Sequence, residues 1–212
     1  MADLCGVILA AGASSRMGRD KALLSWPAND SKPARSCNAT LLSAHISALK
    51  PLARDIVVVA GRNSERLAPI AAACGAIMAI NPAPERGQFS SLQIGLGKAL
   101  GLGSDSAIVT PVDCAPLDQA ILALLRAKFD EALAGRHWAV APQSNGRNGH
   151  PLFASHELID AFLAAPPTSN AREVRRAHSG HFISVPVSIP NLAADINTPA
   201  EYAAMIARPE TN

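Results

Sequence analysis

The stretch Leu9-Ala10-Ala11-Gly12-Ala13-Ser14-Ser15-Arg16-Met17-Gly18-Arg19-Asp20-Lys21 decides how the rest of the chain is read. An apolar run, Leu4 to Ala11, leads straight into it, as expected of a strand buried on both faces. Small residues follow, then Arg16 and Lys21. Gly and Ser let backbone N–H groups come close to phosphate oxygens, and the two cations neutralise phosphate charge. A buried strand opening into such a loop suits an anionic ligand; the plainer alternative is a strand-to-helix turn with solvated charges. Two common phosphate loops are excluded. A Walker A loop needs G-x-x-x-x-G-K-[ST], but Met17 stands five residues after Gly12 and Ala22 follows Lys21. A dinucleotide fingerprint needs G-x-G-x-x-G, and position 14 is Ser.

Outward from this loop, the pattern alternates. Asp55 to Ala60 reads as a second buried strand ended by Gly61, Ala76 to Ile80 as a third, Ser106 to Pro111 as a fourth and His137 to Ala141 as a fifth. Helices are expected over Thr40 to Lys50, Ser64 to Cys74, Phe89 to Leu100 and Leu117 to Ala134. The last of these places Leu117, Ile121, Leu124, Leu125 and Phe129 on one side. Trp26 to Asn38 is polar, carries Pro27 and Pro33, and reads as a surface loop. Strand–helix alternation predicts a mostly parallel sheet with helices on both faces. Such sheets bind ligands beyond the carboxyl ends of their strands. The loop after the first strand and Asp113 after the fourth both lie at such ends, so they are expected to meet in space.

Beyond Ala141 the texture changes. Gln143 to Gly149 reads as a turn-rich loop, followed by His150-Pro151-Leu152-Phe153. Helices are expected over Ser155 to Ala164 and Asn170 to His178, separated by Pro166-Pro167. Phe182 to Val187 reads as an edge strand because of Pro186. A last helix opens at Thr198-Pro199, with Thr as N-cap and Pro at the first helical position. There is no internal repeat and no low-complexity segment.

Composition narrows the class. With 212 residues, one large domain is expected rather than two small ones. An apolar fraction of 49% supplies a sizeable core, built from aliphatic residues because aromatics are only 4%. A net charge of +2 and so few aromatics argue against bulk nucleic-acid binding and base-stacking platforms. None of Cys5, Cys37, Cys74 and Cys114 forms C-x-x-C or pairs with histidines at zinc spacing; three lie in apolar contexts as small core residues. The apolar tract from Pro69 to Ile80 is too short to span a bilayer, and no basic residue precedes the N-terminal apolar run as in a signal peptide. A protein of the reducing cytoplasm, without a membrane or nucleic-acid partner, is expected.

The full set of motifs resembles one family. Leu9-Ala10-Ala11-Gly12…Arg16-Met17-Gly18…Lys21, Gly87-Gln88-Phe89-Ser90-Ser91-Leu92…Gly95, Pro111-Val112-Asp113…Pro116-Leu117, Gly149-His150-Pro151…Phe153 and Asp195-Ile196-Asn197-Thr198-Pro199…Tyr202 together resemble the molybdenum-cofactor nucleotidyltransferase-like family. The resemblance runs in order over nearly the whole chain. It implies a three-layer, Rossmann-like α/β fold (nucleotide-diphospho-sugar transferase-like): a mostly parallel sheet flanked by helices, with a small mixed or antiparallel addition. It implies a single nucleotidyltransferase domain over 1–212, with a nucleotide-binding half (1–141) and an acceptor-binding, closing half (142–212). Such enzymes join a nucleoside triphosphate to a phosphorylated acceptor and release pyrophosphate.

Carried over position by position, the resemblance implies that Leu9, Ala10, Ala11, Gly12, Ser15, Arg16 and Lys21 cradle the triphosphate and that Ser91 approaches the nucleotide. It implies that Asp113 and Asp195 hold Mg²⁺, and that Arg16, Lys21 and Asp113 carry the catalysis. The A-A-G form, with Ala11 where the guanylyltransferase branch has a second Gly, resembles the cytidylyltransferase branch and points to CTP. His150 is placed by the acceptor pocket. Arg172, Arg175 and Arg176 read as a solvated helix face, with Arg172 the candidate for the acceptor phosphate. The acceptor implied first is a molybdopterin-type cofactor, with a molybdoenzyme or its chaperone as a possible protein partner. A sugar or alcohol phosphate is the alternative acceptor, and a non-catalytic nucleotide-binding cofactor chaperone the alternative of another class. Met17 reads as packing and Cys114 as structural. Four departures flank the site: Gln88 replaces a Met, Asn197 replaces an Asp, Pro111-Val112-Asp113-Cys114-Ala115-Pro116 stands where G-D-M-P is common, and Trp26 to Asn38 lacks G-x-P-L.

Overall fold

A computed structural model describes residues 3–26, 40–190 and 192–206. Beyond Trp26, the expected surface loop lies outside the described residues, and so does Cys37. The first strand, β1 (Leu4–Leu9), is buried at every position. Alternation explains how both of its faces are covered: Leu4 and Ile8 join one apolar cluster, whereas Cys5, Val7 and Leu9 join the other. Next come α1 (Leu41–Leu49), β2 (Asp55–Ala60), α2 (Ser64–Ala73), β3 (Ile77–Ile80), α3 (Gln88–Gly101), β4 (Ser106–Pro111) and α4 (Gln119–Ala134). The second half contributes β5 (Ala139–Ser144), β6 (Arg147–Asn148), β7 (Leu152–Ala154), α5 (His156–Ala164), α6 (Ala171–Ala177), β8 (Phe182–Pro186) and α7 (Pro199–Ile206).

The strands form one sheet of order β3-β2-β1-β4-β7-β5-β6, with β8 pairing β5. The β3, β2, β1 and β4 pairings are all parallel. The strand β7 is antiparallel to both β4 and β5, while β8 returns parallel to β5. The fold is therefore the three-layer α/β sheet with a mixed addition that the sequence leads one to expect. One apolar layer draws on α1, α2 and α4; the other draws on α3 and α5. Packing against the sheet is close: a Cβ on Gly95 of α3 would lie 2.4 Å from Val7 Cγ1 and 2.8 Å from Val59 Cγ2. Among the described residues no helix is long and apolar enough to cross a membrane.

Several local expectations are corrected. Gln143 to Gly149 is not simply a loop: β5 and β6 form a hairpin closed by Asn145 (φ 51°) and Gly146 (φ 74°). Asn-Gly is the dipeptide that tolerates two left-handed residues in a tight hairpin turn. Leu152 to Ala154 is a strand, too short to show a period and made by its partners, Val109–Ala107 on one side and Ala139–Val140 on the other. The fifth strand starts at Ala139 rather than His137 and runs on to Ser144. The first strand ends at Leu9, leaving Ala10 and Ala11 in the loop. In α4 the buried stripe is Leu122, Leu125, Phe129 and Ala132, while Leu124 is 40% exposed. The helix starts at Gln119, with Asp118 Oδ1 accepting from Ile121 N at 2.8 Å, so Leu117 precedes it.

Candidate active site

The ladder that ends β1 sets the geometry. Leu9 pairs with Pro111, and Val112 N donates to Leu9 O at 3.0 Å. Ala10 N donates to Val59 O at 2.8 Å on the other side. The glycine-containing loop and the Asp113 turn therefore leave the sheet side by side. Backbone and side-chain bonds then shape the loop. Ser14 is left-handed (φ 51°), its carbonyl accepts from Met17 N at 3.0 Å, and its Oγ accepts from Lys21 N at 3.1 Å. Met17 is buried in the core. Asp20 caps the short turn that begins at Lys21, accepting from Ala22 N at 3.1 Å. Its other oxygen takes Asn63 Nδ2 at 2.8 Å and lies 3.3 Å from Arg66. Asn63 Nδ2 also donates to Ala10 O at 2.9 Å, tying both ends of the loop to the start of α2.

Lys21 thereby reaches across the sheet end. Its Nζ lies 3.0 Å from Asp113 Oδ2, with side chains 12% and 27% exposed, so the pair is partly shielded from water. The same Nζ donates to Asn197 Oδ1 at 3.0 Å, and Arg16 Nη2 donates to that oxygen at 2.9 Å. Asp113 O accepts from Ile196 N at 2.6 Å, which draws the segment carrying Asp195 and Asn197 against the Asp113 turn. Asp195 is exposed as a residue, yet its carboxyl is raised above the ordinary range, first by desolvation and then by the Asp113 charge, with Lys21 opposing.

These groups line a cavity of about 470 Å³ together with Leu9, Ala10, Ala11, Gly12, Ser14, Gln88, Ser91 and His150. Of the residues expected in the nucleotide site, Ser15 is exposed and does not line the cavity; Ser14 does. Ser91 is buried and its Oγ accepts from Asn81 Nδ2 at 2.9 Å. A second cavity, of about 890 Å³, adjoins the first and shares Leu9, Gly87, Gln88, Pro111 and His150 with it. Arg86, Arg172, Arg175 and Arg176 line the second cavity, and among the described residues no carboxylate does. Arg172 thus faces the second cavity, not the first. Arg175, read from the sequence as solvated, is half-buried over the Phe182 ring at 5.3 Å, and burial pulls its guanidinium below its usual value. His150 stands where the cavities meet; burial, then Arg175, push its imidazole down to about 4, with Asp113 opposing. Among the described residues its Nδ1 is buried without a hydrogen-bond partner. A neutral ring with an unmatched buried nitrogen is suited to a polar substrate atom.

Two residues escape sequence reasoning. Asn197 is noticed only as a departure from a motif, and its contact with both cations spans the length of the chain. His45 gives no signal: it sits in α1, fully enclosed, and donates from Nε2 to Cys114 O at 3.0 Å, holding the turn that carries Asp113. Burial pushes its imidazole down to about 4, so it is neutral. The unfolded chain takes up that proton near pH 6.5, so between 6.5 and 4 the unfolded state binds more protons. Stability therefore falls as pH falls through that window, by on the order of 3 kcal/mol from His45 at its lower end. Urea unfolding at pH 7 and pH 5 measures this, and His45→Gln flattens the dependence. Cys114, beside the turn, is buried, contacts Thr110 Oγ1 at 3.3 Å and Pro111 O at 3.1 Å, and burial pushes its thiol up to about 12. Such a thiol is inert at neutral pH, in keeping with a structural role.

Asp113 and Asp195 are two carboxylates of this cavity that could hold a divalent cation. Among the described residues no cluster of three or more His, Cys, Asp or Glu side chains could hold a metal. Mg²⁺ does not ask for one: it takes one or two protein carboxylates and completes its shell with water and substrate phosphates. Asp113 and Asp195 line one cavity, and a pair of carboxylates is the protein share of such a shell.

The model of the MobA-like NTP transferase domain matches residues 6–182. The molybdenum cofactor guanylyltransferase of Rhodobacter capsulatus is 27% identical over 211 residues, covering 94% of this chain and 93% of that protein. The molybdenum cofactor cytidylyltransferase of Escherichia coli K12 is 25% identical over 197 residues, covering 92% of each. The structure of Rv0371c from Mycobacterium tuberculosis H37Rv superposes with a TM-score of 0.72 at 21% identity over 98% of both chains. A second structure of Rv0371c, in complex with manganese, has a TM-score of 0.68 at 19% identity, over 96% of this chain and 98% of that one.

Proposed function

The chain belongs to the MobA-like NTP transferase family and is a nucleotidyltransferase, and we propose that it transfers CMP from CTP to a phosphorylated acceptor of the molybdopterin type with the help of Mg²⁺. The observation that carries the proposal is the convergence of Lys21, Asp113 and Asp195 in one cavity that opens, at His150, into a second cavity lined by arginines. In this reaction an oxygen of the acceptor phosphate bonds to the α-phosphorus, the α–β phosphoanhydride breaks, and pyrophosphate leaves. Little covalent work is left to the protein, which must align anions and offset their charge.

Mg²⁺ held by Asp113 and Asp195 would neutralise the phosphates and polarise the α-phosphoryl group. The chain's own groups do the rest. Arg16 and Lys21 take the β- and γ-phosphates and then the departing pyrophosphate. The loop from Leu9 to Ser14 supplies the backbone around the triphosphate, with Ser91 beside the nucleotide. The second cavity receives the acceptor: Arg172 and Arg175 offer positive charge, and His150 offers a neutral ring nitrogen at the junction. The A-A-G form at Ala10-Ala11-Gly12 supports CTP over GTP, a choice on which the curated relatives divide. The test is pyrophosphate release with CTP, GTP, ATP and UTP, each with Mg²⁺ and a panel containing molybdopterin, sugar phosphates and alcohol phosphates. The expected result is turnover with CTP and molybdopterin, at least tenfold above GTP in kcat/KM. Turnover of GTP at an equal or higher rate would overturn the choice of base, and turnover with a sugar phosphate alone would overturn the choice of acceptor.

A further inference from the structure

The geometry points to Arg175 as the residue that holds the attacking phosphate of the acceptor, with its guanidinium kept in place by the Phe182 ring. This rests on the nucleotidyl-transfer reading of the site, and it divides the arginines of the second cavity by role. Arg86, Arg172 and Arg176 are exposed, so water and salt screen their charge. Arg176 also acts on the Glu173 carboxylate of its own helix. Arg175 is half-buried, with Cζ 5.3 Å from the centroid of the Phe182 ring. Among the described residues its N–H donors have no acceptor. A guanidinium drawn partly out of water without an acceptor is unfavourable until an anion meets it.

Two elements set this position independently. At the start of α6, Asn170 Oδ1 accepts from Glu173 N at 3.0 Å, and Val174 is buried in the apolar layer beneath. Arg175 follows Val174 in the chain and lines the cavity. Phe182 opens β8, where it pairs with Ala139 of β5, and Trp138 N donates to the preceding carbonyl, His181 O, at 2.8 Å. The sheet therefore fixes the ring, and the ring holds the guanidinium. A guanidinium held in this way offers two parallel N–H groups to two oxygens of one phosphate, which an ammonium cannot copy.

The location suits the nucleophile. Arg175 and His150 line the same cavity, and the Arg175 charge reaches the His150 ring where the two cavities meet. The acceptor phosphate must stand at that junction for its oxygen to bond to the α-phosphorus while the α–β phosphoanhydride breaks and pyrophosphate leaves. A structural role makes a different prediction. A cation in the last turn of α6 also complements the helix dipole, and losing it for that reason alone lowers stability without singling out one substrate.

Steady-state kinetics of the full chain with Mg²⁺, CTP and molybdopterin, each substrate varied in turn, is the test, together with melting temperatures. Arg175→Ala is expected to raise the molybdopterin KM about thirtyfold and lower kcat about tenfold, with the CTP KM within about twofold of wild type. Arg175→Lys keeps the charge and the stem, and is expected to bring KM back to within about fivefold while kcat stays low. Arg172→Ala is expected to raise the molybdopterin KM only about threefold. Phe182→Leu is expected to raise it about fivefold in the wild-type background and hardly at all in Arg175→Ala, because the ring acts through the guanidinium. Wild-type protein that releases no pyrophosphate with any acceptor would overturn the nucleotidyl-transfer reading, and this role with it. Wild-type turnover with a molybdopterin KM that Arg175→Ala and Arg175→Lys leave within about twofold would overturn the role alone. A larger loss from Arg172→Ala than from Arg175→Ala would also overturn it, as would equal rises in both KM values with a lowered melting temperature.

Discussion

Asp113→Asn is expected to lower kcat by about a thousandfold, roughly 4 kcal/mol of transition-state stabilisation, while the chain stays folded. The substitution is nearly isosteric. An asparagine oxygen still accepts from Lys21 Nζ, now 3.0 Å from Asp113 Oδ2, and the Asp113 carbonyl still accepts from Ile196 N. The charge left behind is that of Lys21, 12% exposed, which keeps the new amide oxygen and Asn197 Oδ1 as acceptors. What disappears is one of two carboxylates that would hold the cation, and Asp195 alone is a poor site. Activity assayed against Mg²⁺ concentration separates the causes. The variant should need far more Mg²⁺ for its residual rate, with an unchanged melting temperature. A kcat within threefold of wild type at ordinary Mg²⁺ would remove Asp113 from the mechanism.

Lys21→Ala is expected to lower kcat/KM for the nucleotide by about 300-fold, and Arg16→Ala by about tenfold. The two cations share an acceptor yet differ in setting. Lys21 is 12% exposed, and its Nζ sits between Asp113 and Asn197, where partial exclusion of water strengthens its hold on a phosphate. Arg16 is exposed and, among the described residues, its one polar partner is Asn197, so solvent screens its contribution. Lys21→Arg should rescue little, because a planar guanidinium cannot repeat the compact contact of an ammonium with both oxygens at 3.0 Å. Steady-state kinetics of the three variants at two salt concentrations tests this. Equal losses for Lys21 and Arg16, or a full rescue by arginine, would contradict the difference in shielding.

Much of the fold is legible in local sequence. The continuous apolar runs of β1, β2 and β4 signal a sheet covered on both faces, and strand–helix alternation makes their pairing parallel. Cap chemistry marks several ends: Thr40, Asp118, Asn170 and Thr198 each accept from the first turn of the helix that follows. The strand β7 is not legible, because three residues between Pro151 and Ser155 carry no period and their strand character comes from β4 and β5 on either side. The α4 stripe is misjudged by one position because leucines at 122, 124 and 125 make the apolar pattern ambiguous, and the sheet beneath chooses Leu122.

For the site, residue type and the carboxyl-end rule are enough to put Lys21 and Asp113 at the same edge of a parallel sheet, and the pairing of β1 with β4 brings them into contact. That is a consequence of chain direction and burial, which are written locally. Which atoms share a proton or a charge is not written locally. Arg16 and Lys21 meet on Asn197 across 181 and 176 residues of chain, and His45 supports the Asp113 turn across 69. Arg175 leaves solvent only because Phe182 and the second cavity lie beneath it. Hydrophobic period and turn chemistry specify where each segment is buried and where it bends. The partner of a polar group depends on distances and dielectric that exist only once the segments have packed.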